Sequence, residues 1–167
     1  VYREMLAAGY TAVGEFHYLG LPEAVAAVAA AEEAGISIVL LQVAYERGGL
    51  ERMRQPSAAA YLAEVESLRA AGVAVGVAPH SVRACSRDWL EEIGRYATAE
   101  GLPLHIHADE QPREIRECLE EHGCRPIELL ADAGCLTSGT TIVHATHASD
   151  GELDLLAATG ARICVCP

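Results

Sequence analysis

The chain has 167 residues, of which 51% are hydrophobic, and this is enough material for one compact domain with its own core. Its 12 basic residues are outnumbered by 24 acidic ones, which gives a formal net charge of −12. That balance excludes the basic surface that nucleic-acid binding requires, so no nucleic-acid partner is expected. The longest apolar stretch, 24–31, is too short to span a bilayer, so no membrane partner is expected either.

Six cysteines stand at positions 85, 118, 124, 135, 164 and 166, without a CxxC pair. Their spacing matches neither a zinc knuckle nor a disulfide scaffold, so we expect reduced, mostly buried thiols in a cytoplasmic protein. The chain begins Val1-Tyr2-Arg3-Glu4, with no initiator Met and without the basic and then apolar pattern of a signal peptide. We therefore expect it to be an internal piece of a longer chain.

Apolar runs of strand length alternate with helical stretches along the whole chain. Six strands are predicted, at 11–16, 36–43, 73–77, 102–106, 141–143 and 162–165. Helices are predicted between and beside them at 22–34, 57–71, 87–100, 112–122, 126–133 and 149–159, with Pro at several first turns and Gly after several last turns. Strands that are apolar on both faces and joined by helices predict an α/β fold with a parallel sheet and right-handed crossovers.

Two architectures fit this alternation, an open doubly wound sheet and a (β/α)8 barrel of the TIM type. Polar residues that follow the apolar runs decide between them, because strand ends converge on one mouth in a barrel, where active sites lie, and spread apart in an open sheet. The first strand is not followed by a GxGxxG motif, which also disfavours the open sheet. We therefore expect residues 1–167 to form about six central units of one catalytic barrel domain. The strand-end residues are Glu15, His17, His80, Arg83, His107, Glu110 and His144.

His107 and Glu110 form an HxxE pattern at the end of the fourth predicted strand. Neutral imidazole is the commonest zinc ligand, and a carboxylate three residues on is placed to act as a general acid or base. His144 ends the next strand and is expected to lie close to His107, although it could instead cap its own strand. For His105, one layer deeper on the same face, and for His147, further into the next loop, a structural role is favoured.

Arg83 lies in the loop after the third predicted strand. A guanidinium in a mouth loop can make a two-pronged contact with a carboxylate, and the alternative is a surface ion pair. Tyr18, after the first strand, could hydrogen-bond a substrate or simply pack. Spacing alone decides neither case.

Five segments resemble the deaminase branch of the amidohydrolase superfamily that includes the formimidoylglutamate deiminases. They read GYTAVGEFHY at 9–18, PHSVRA at 79–84, HIHADEQ at 105–111, RPIE at 125–128 and VHATH at 143–147. The resemblance implies a (β/α)8 barrel with one zinc ion, or iron in its place, for which His107 is a ligand. Glu110 resembles the family's proton-shuttling carboxylate, and His144 resembles the histidine that polarises the attacking water.

The same resemblance implies that Tyr18, His80 and Arg83 contact the substrate, with Arg83 as the partner of a carboxylate. The family's first-strand HxH pair and its aspartate after the eighth strand have no counterpart in 1–167, so we expect those ligands outside this chain. The family's longer loop after FHY is also missing, since residues 18–22 enter a helix at once. Members of the family often pair, so a homodimer is among the expected assemblies, although no residue pattern marks an interface.

The function that the resemblance implies is hydrolysis of N-formimino-L-glutamate to N-formyl-L-glutamate and ammonia, a step of histidine degradation. The partner would be a small molecule with a carboxylate. One alternative keeps the chemistry but takes a cyclic substrate such as guanine, cytosine or a triazine, which offers Arg83 no carboxylate. A second alternative is a non-catalytic fragment or binding module.

Overall fold

A computed structural model describes residues 1–166 and shows six strands in a single parallel sheet. The strands follow one another in the sheet in chain order, and every neighbouring pair is parallel. A doubly wound sheet would reverse its strand order at a switch point, whereas a barrel adds each strand beside the last. The strands are β1 (Ala12–His17), β2 (Ser37–Ala44), β3 (Val75–Pro79), β4 (Leu104–Ala108), β5 (Thr140–His144) and β6 (Arg162–Cys164).

The sheet is strongly curled, as a contact between distant strands shows. The ring of Phe16 on β1 stacks on the ring of His107 on β4, with 4.7 Å between centroids. Three strand spacings separate β1 from β4, so a flat sheet would hold these residues about 14 Å apart. The strands therefore form a half-barrel, which confirms the predicted α/β architecture of TIM-barrel type.

Helices connect the strands on the outside of the curl, and all six predicted helices are present. The structure adds α1 at the beginning of the chain and a short 3-10 turn at Glu51–Met53, neither of which was predicted. Neither has the length or the side-chain cap that would mark it in the sequence. The α-helices are α1 (Tyr2–Ala7), α2 (Leu21–Ala34), α3 (Ala58–Ala70), α4 (Arg87–Glu100), α5 (Pro112–His122), α6 (Pro126–Asp132) and α7 (Asp150–Thr159). None of them is long and apolar enough to cross a membrane.

The hydrophobic core lies between the sheet and these helices. Leu40, Val77, Ile106 and Ile142, one from each of β2 to β5, are completely buried. Burying each such side chain stabilises the fold by roughly 1.5–3 kcal/mol. Because side chains alternate along a strand, the residues next to these four point into the curl. The core therefore fixes which residues of each strand can reach the mouth.

Close packing of β2, β3 and β4 depends on Gly76. A Cβ atom at this position would lie 2.8 Å from the carbonyl oxygen of Pro103 and 2.9 Å from a methyl group of Leu41. Both contacts are shorter than van der Waals distance, so only glycine allows the three strands to approach in this way.

The first prediction concerns residues 1–167 expressed alone. Within the described residues, β1 and β6 each have an unpaired outer edge, and large apolar side chains such as Val39 and Ile163 are exposed. Such edges template aggregation. We expect this piece to aggregate or to bind a hydrophobic dye, and to show no sharp unfolding transition by calorimetry. A cooperative unfolding transition of a soluble monomer would contradict our expectation that this half-barrel is an incomplete folding unit.

Candidate active site

Three consecutive strands bring a histidine to the same end of the curl. His80 directly follows β3, His107 is on β4, and His144 is the last residue of β5. The ring centroids of His80 and His107 are 4.8 Å apart, and those of His107 and His144 are 5.3 Å apart. The predicted clustering of these three histidines is therefore present in the structure, with His107 at the centre.

His107 has the properties of a metal ligand. Burial, together with the neighbouring His144, lowers the pKa of its imidazole to about 4, so the ring is neutral at neutral pH. Its Nδ1 atom is buried and has no hydrogen-bond partner among the described residues. A buried polar atom without a partner costs about 1–3 kcal/mol, and metal coordination would remove that cost at one of the two ring nitrogens. A neutral imidazole with free ring nitrogens is the form that binds zinc.

No group of three or more His, Cys, Asp or Glu side chains in 1–166 has the arrangement of a metal site. That further ligands lie outside this chain stays a prediction.

His80 shares the electrostatic environment of His107. Burial, then the nearby His107 and Arg83, lower the pKa of its imidazole to about 4. Its Nδ1 lies 3.1 Å from the hydroxyl of Ser81. At neutral pH His80 is therefore an uncharged ring that can donate or accept one hydrogen bond at the mouth.

His144 reaches His107 through an unusual backbone conformation. In the register of β4 and β5, His107 is opposite Val143, and His144 is opposite Ala108 on the helix side of the sheet. Regular alternation would point His144 towards the helices. Its backbone has instead left the extended conformation, with φ at +80°, and the ring lies beside His107. A left-handed conformation at a non-glycine residue costs energy and is typical of functional sites.

Glu110 and Arg83, which were predicted as catalytic base and substrate ligand, form an ion pair with each other. Nη2 of Arg83 donates to Oε2 of Glu110 at 2.8 Å, and Nε2 of His144 lies 3.9 Å from Oε1 of the same carboxylate. Partial burial raises the pKa of Glu110, but Arg83 and His144 outweigh this effect, so the net pKa is below its ordinary value. Glu110 is therefore ionised at neutral pH and ready to accept a proton.

A second carboxylate, Glu114, supports this pair from below. Its side chain is fully buried, and it accepts a hydrogen bond from the backbone N–H of Glu110 at 3.0 Å. Its other oxygen is 3.8 Å from Nε of Arg83. Glu114 thus contacts both residues of the pair, and its location in the first turn of α5 gave no sign of this in the sequence.

Tyr18 lies at the rim of the same cluster, 6.2 Å from His80 between ring centroids. Partial burial raises the pKa of its hydroxyl, which therefore stays protonated. Tyr45 was not predicted, but its ring is 4.6 Å from His80 and 6.4 Å from Tyr18. It directly follows β2, as His80 follows β3, so the same strand-end rule could have found it. Phe16, stacked on His107, was also missed.

His17 does not belong to the cluster, and the prediction that it would is wrong. Its ring nitrogens lie 3.6 Å from Glu15 and 3.4 Å from the carbonyl of Gly20. Since neighbours on a strand point to opposite faces, the inward direction of Phe16 sends His17 outward. His105 occupies the expected layer, with its ring 6.2 Å from Phe16.

Comparison with known proteins agrees with this geometry. The model of the amidohydrolase family matches residues 1–167. The chain belongs to the amidohydrolase family.

Among curated relatives of this amidohydrolase, formimidoylglutamate deiminase of Pseudomonas aeruginosa is 35% identical over 189 residues, which cover 99% of this chain and 42% of that protein. A 5-methylthioadenosine/S-adenosylhomocysteine deaminase of Natronomonas pharaonis is 34% identical over 167 residues, covering 98% of this chain and 38% of that protein. The chain therefore spans about two fifths of the length of these relatives. The first of these relatives is named a deiminase and the second a deaminase.

Solved structures show the same fold. An amidohydrolase from Brucella melitensis superposes with a TM-score of 0.87 at 34% identity, over 99% of this chain and 42% of that one. An adenosine deaminase from Xanthomonas campestris with bound zinc superposes with a TM-score of 0.84 at 24% identity, over 99% of this chain and 37% of that one.

The second prediction separates metal binding from proton transfer in the full-length protein. His107→Ala removes the predicted ligand and should lower the metal content measured by elemental analysis. Glu110→Gln should keep the metal and reduce kcat by roughly 10²- to 10⁴-fold, because only the predicted proton carrier is lost. Glu120→Gln, on the exposed side of α5, is the control and should change neither quantity. Equal metal loss in His107→Ala and Glu110→Gln would mean that Glu110 is itself a ligand.

Proposed function

We propose that the full-length protein hydrolyses the C=N group of N-formimino-L-glutamate, giving N-formyl-L-glutamate and ammonia, as a step of histidine degradation. Residues 1–167 would form the central part of its one catalytic barrel domain. The observation that carries the proposal is the position of Arg83, whose guanidinium lies 2.8 Å from Glu110 in a mouth that also holds the rings of His80, His107 and His144. A carboxylate-bearing substrate bound to Arg83 would extend across Glu110 and His107.

We assign a zinc ion as cofactor, with iron as the alternative, and His107 as one of its ligands. When bound, such a metal supplies a nucleophilic water at neutral pH and polarises the group under attack. The support is the neutral, half-buried imidazole of His107 and the unpartnered Nδ1. The similar adenosine deaminase from Xanthomonas campestris, which has zinc bound, adds to this support.

Glu110 is the proton carrier in this proposal. As an ionised carboxylate it can take a proton from the water that adds to the carbon of the C=N group. It can then give this proton to the nitrogen. A second proton moves, through Glu110, from the added hydroxyl group to the same nitrogen, whose bond to carbon breaks to release ammonia. The carbon keeps the added oxygen and becomes the formyl group, so atoms and charges balance. The Nε2 of His144, 3.9 Å from Glu110, can stabilise charge on the tetrahedral carbon's oxygen.

Arg83 selects the substrate in this proposal. The formimino group is small and offers few contacts, so discrimination must come from the amino-acid portion. A guanidinium has five N–H donors in a planar fork, and the structure engages Nη2 with Glu110. Nε is buried and without a hydrogen-bond partner among the described residues. Tyr18 and His80 would hydrogen-bond the same end of the substrate.

A cyclic substrate is the second candidate, and one observation favours it. The rings of Tyr18, Tyr45 and His80 lie next to one another at the mouth, and Phe16 stacks on His107. Flat heterocycles bind to such rings by stacking. Some relatives of similar identity are named 5-methylthioadenosine/S-adenosylhomocysteine deaminases, and the substrates in that name contain a purine.

The cytoplasmic location and the homodimer stay predictions. Three of the six cysteines, Cys85, Cys118 and Cys135, are buried as free thiols, which supports a reducing compartment. The other three are partly or fully exposed, so the expectation of mostly buried thiols holds for only half of them.

The third prediction tests substrate selection in the full-length protein. Arg83→Met should raise KM for N-formimino-L-glutamate about ten- to a hundredfold, because a charged hydrogen bond worth roughly 1.5–3 kcal/mol is lost. KM for a neutral substrate should stay within about twofold of the wild-type value. Arg113→Met, at an exposed arginine paired with Glu117, is the control and should leave both values unchanged. Steady-state ammonia release measures both substrates.

The cyclic-substrate candidate makes the opposite forecast. If the wild-type protein turns over a neutral purine or pyrimidine faster than N-formimino-L-glutamate, and Arg83→Met leaves KM for that base alone, then Arg83 does not select a carboxylate and the proposal is wrong.

A further inference from the structure

We propose that Arg125 is a positioning residue that holds the loop carrying Glu110 and the loop following His144 in their active arrangement. The β4 loop comprises residues 109–111, and the β5 loop comprises residues 145–149. The inference rests on the proposed catalytic roles of Glu110 and His144. Arg125 begins α6 and belongs to neither loop, so its contacts tie the two loops to a third element.

The guanidinium of Arg125 joins three acceptors from different elements. Its Nε donates to Oε2 of Glu152 in α7 at 2.6 Å, and its Nη2 donates to the carbonyl oxygen of His147 at 2.6 Å. The same Nη2 lies 3.4 Å from Oδ1 of Asp109. One planar side chain therefore connects the residue before Glu110, the middle of the β5 loop and the N-terminus of α7.

The two loops also bond directly to each other beneath Arg125. The backbone N–H of His147 donates to the carbonyl oxygen of Asp109, and that of Ala145 donates to the carbonyl oxygen of Ala108, both at 3.0 Å. A shift of the β5 loop would therefore pull on Asp109 and on Glu110 beside it.

The backbone conformation of these loops needs such support. Asp109, His144 and Ala145 have φ values of +52°, +80° and +52°, and they are the non-glycine residues with positive φ in the part of the chain that the structure describes. Each such conformation is costly and persists only where surrounding contacts enforce it. All three lie next to Glu110 or at His144, and the positive φ of His144 accompanies the turn of its ring towards His107.

Arg125 also balances the charge of Glu152, which would otherwise be buried alone. The side chains of Asp109 and Glu152 are fully buried, whereas that of Arg125 is 24% exposed. Glu152 is further held by the backbone N–H groups of Ser149 and Ile127. A lysine in place of Arg125 would keep the positive charge but could not bond Glu152, His147 and Asp109 together, since its single ammonium lacks the planar fork.

The experiment compares Arg125→Lys and Arg125→Gln with wild type in the full-length protein, with Arg113→Gln as the control. Arg113 is exposed, and its side chain pairs with Glu117 of its own helix rather than with either loop. We expect kcat to fall about tenfold in Arg125→Lys and about a hundredfold in Arg125→Gln, because displacement of catalytic groups by about 1 Å can cost 10²-fold. KM and bound metal should change by less than about twofold, and the control should match wild type.

A purely structural role would give a different result. Arg125→Lys would then show wild-type kcat at a temperature below its unfolding midpoint, with only the midpoint lowered, and this outcome would overturn the proposal. A loss of metal in proportion to kcat would overturn it too. If Arg125→Gln does not fold, Arg125→Lys and Glu152→Gln test the proposal in its place. Glu152→Gln frees Nε of Arg125 while keeping the shape of the side chain at position 152. In this variant kcat should again fall with KM unchanged.

The assay also separates this inference from the proposed substrate. Wild-type protein that releases no ammonia from N-formimino-L-glutamate would refute the substrate, and the variants would then be compared on the substrate that the wild type does turn over. Failure of the positioning role appears instead in the Arg125 variants, as an unchanged kcat or as a loss of metal in proportion to kcat.

Discussion

The curl of the sheet is the constraint on which the site depends. Phe16 and His107 can stack only because the strands between them bend round, and this places Phe16 against the ends of the neighbouring strands β3, β4 and β5. Outside the curl, a buried layer of Leu, Val and Ile under the helices fixes the facing of each strand. Alternation then leaves only certain positions to point into the mouth. Side-chain packing on the helix-covered face of the sheet therefore determines which residues are available for chemistry at the mouth.

Inside the curl, the histidines His80 and His107 are neutral, whereas the carboxylate of Glu110 is charged. Desolvation makes charged imidazoles costly, so the pKa values of His80 and His107 fall to about 4 and both rings are neutral. Glu110 lies nearer to solvent beside Arg83, which keeps its pKa low and its carboxylate charged. A neutral ligand next to an ionised base is the combination that metal-assisted hydrolysis uses. The two states arise a few ångströms apart, and Arg83 favours both, because it lowers the pKa of His80 and that of Glu110.

Periodicity in the sequence predicts the strands, the helices and the convergence of His80, His107 and His144, because these depend on local patterns. The same reasoning fails for His17, where the direction of Phe16 decides which neighbour points inward. Periodicity places His144 at the correct strand end, but strand alternation alone would point its ring towards the helices. The positive φ of His144 accompanies the turn of the ring towards His107. Arg83 and Glu110, which pair with each other, are 27 positions apart in the sequence. The side chain of Arg125 contacts residues at least 16 positions away. No local pattern encodes such contacts, so only the folded chain shows them.

The central claim is that His107 holds a metal beside a carboxylate that does not. A crystal structure of the metal-loaded full-length protein tests it most directly, with anomalous scattering to locate the metal. The account predicts an imidazole nitrogen of His107 about 2.0–2.1 Å from the metal, with Glu110 close by but outside the coordination sphere. A metal bound away from His107, or coordinated by Glu110, would contradict it.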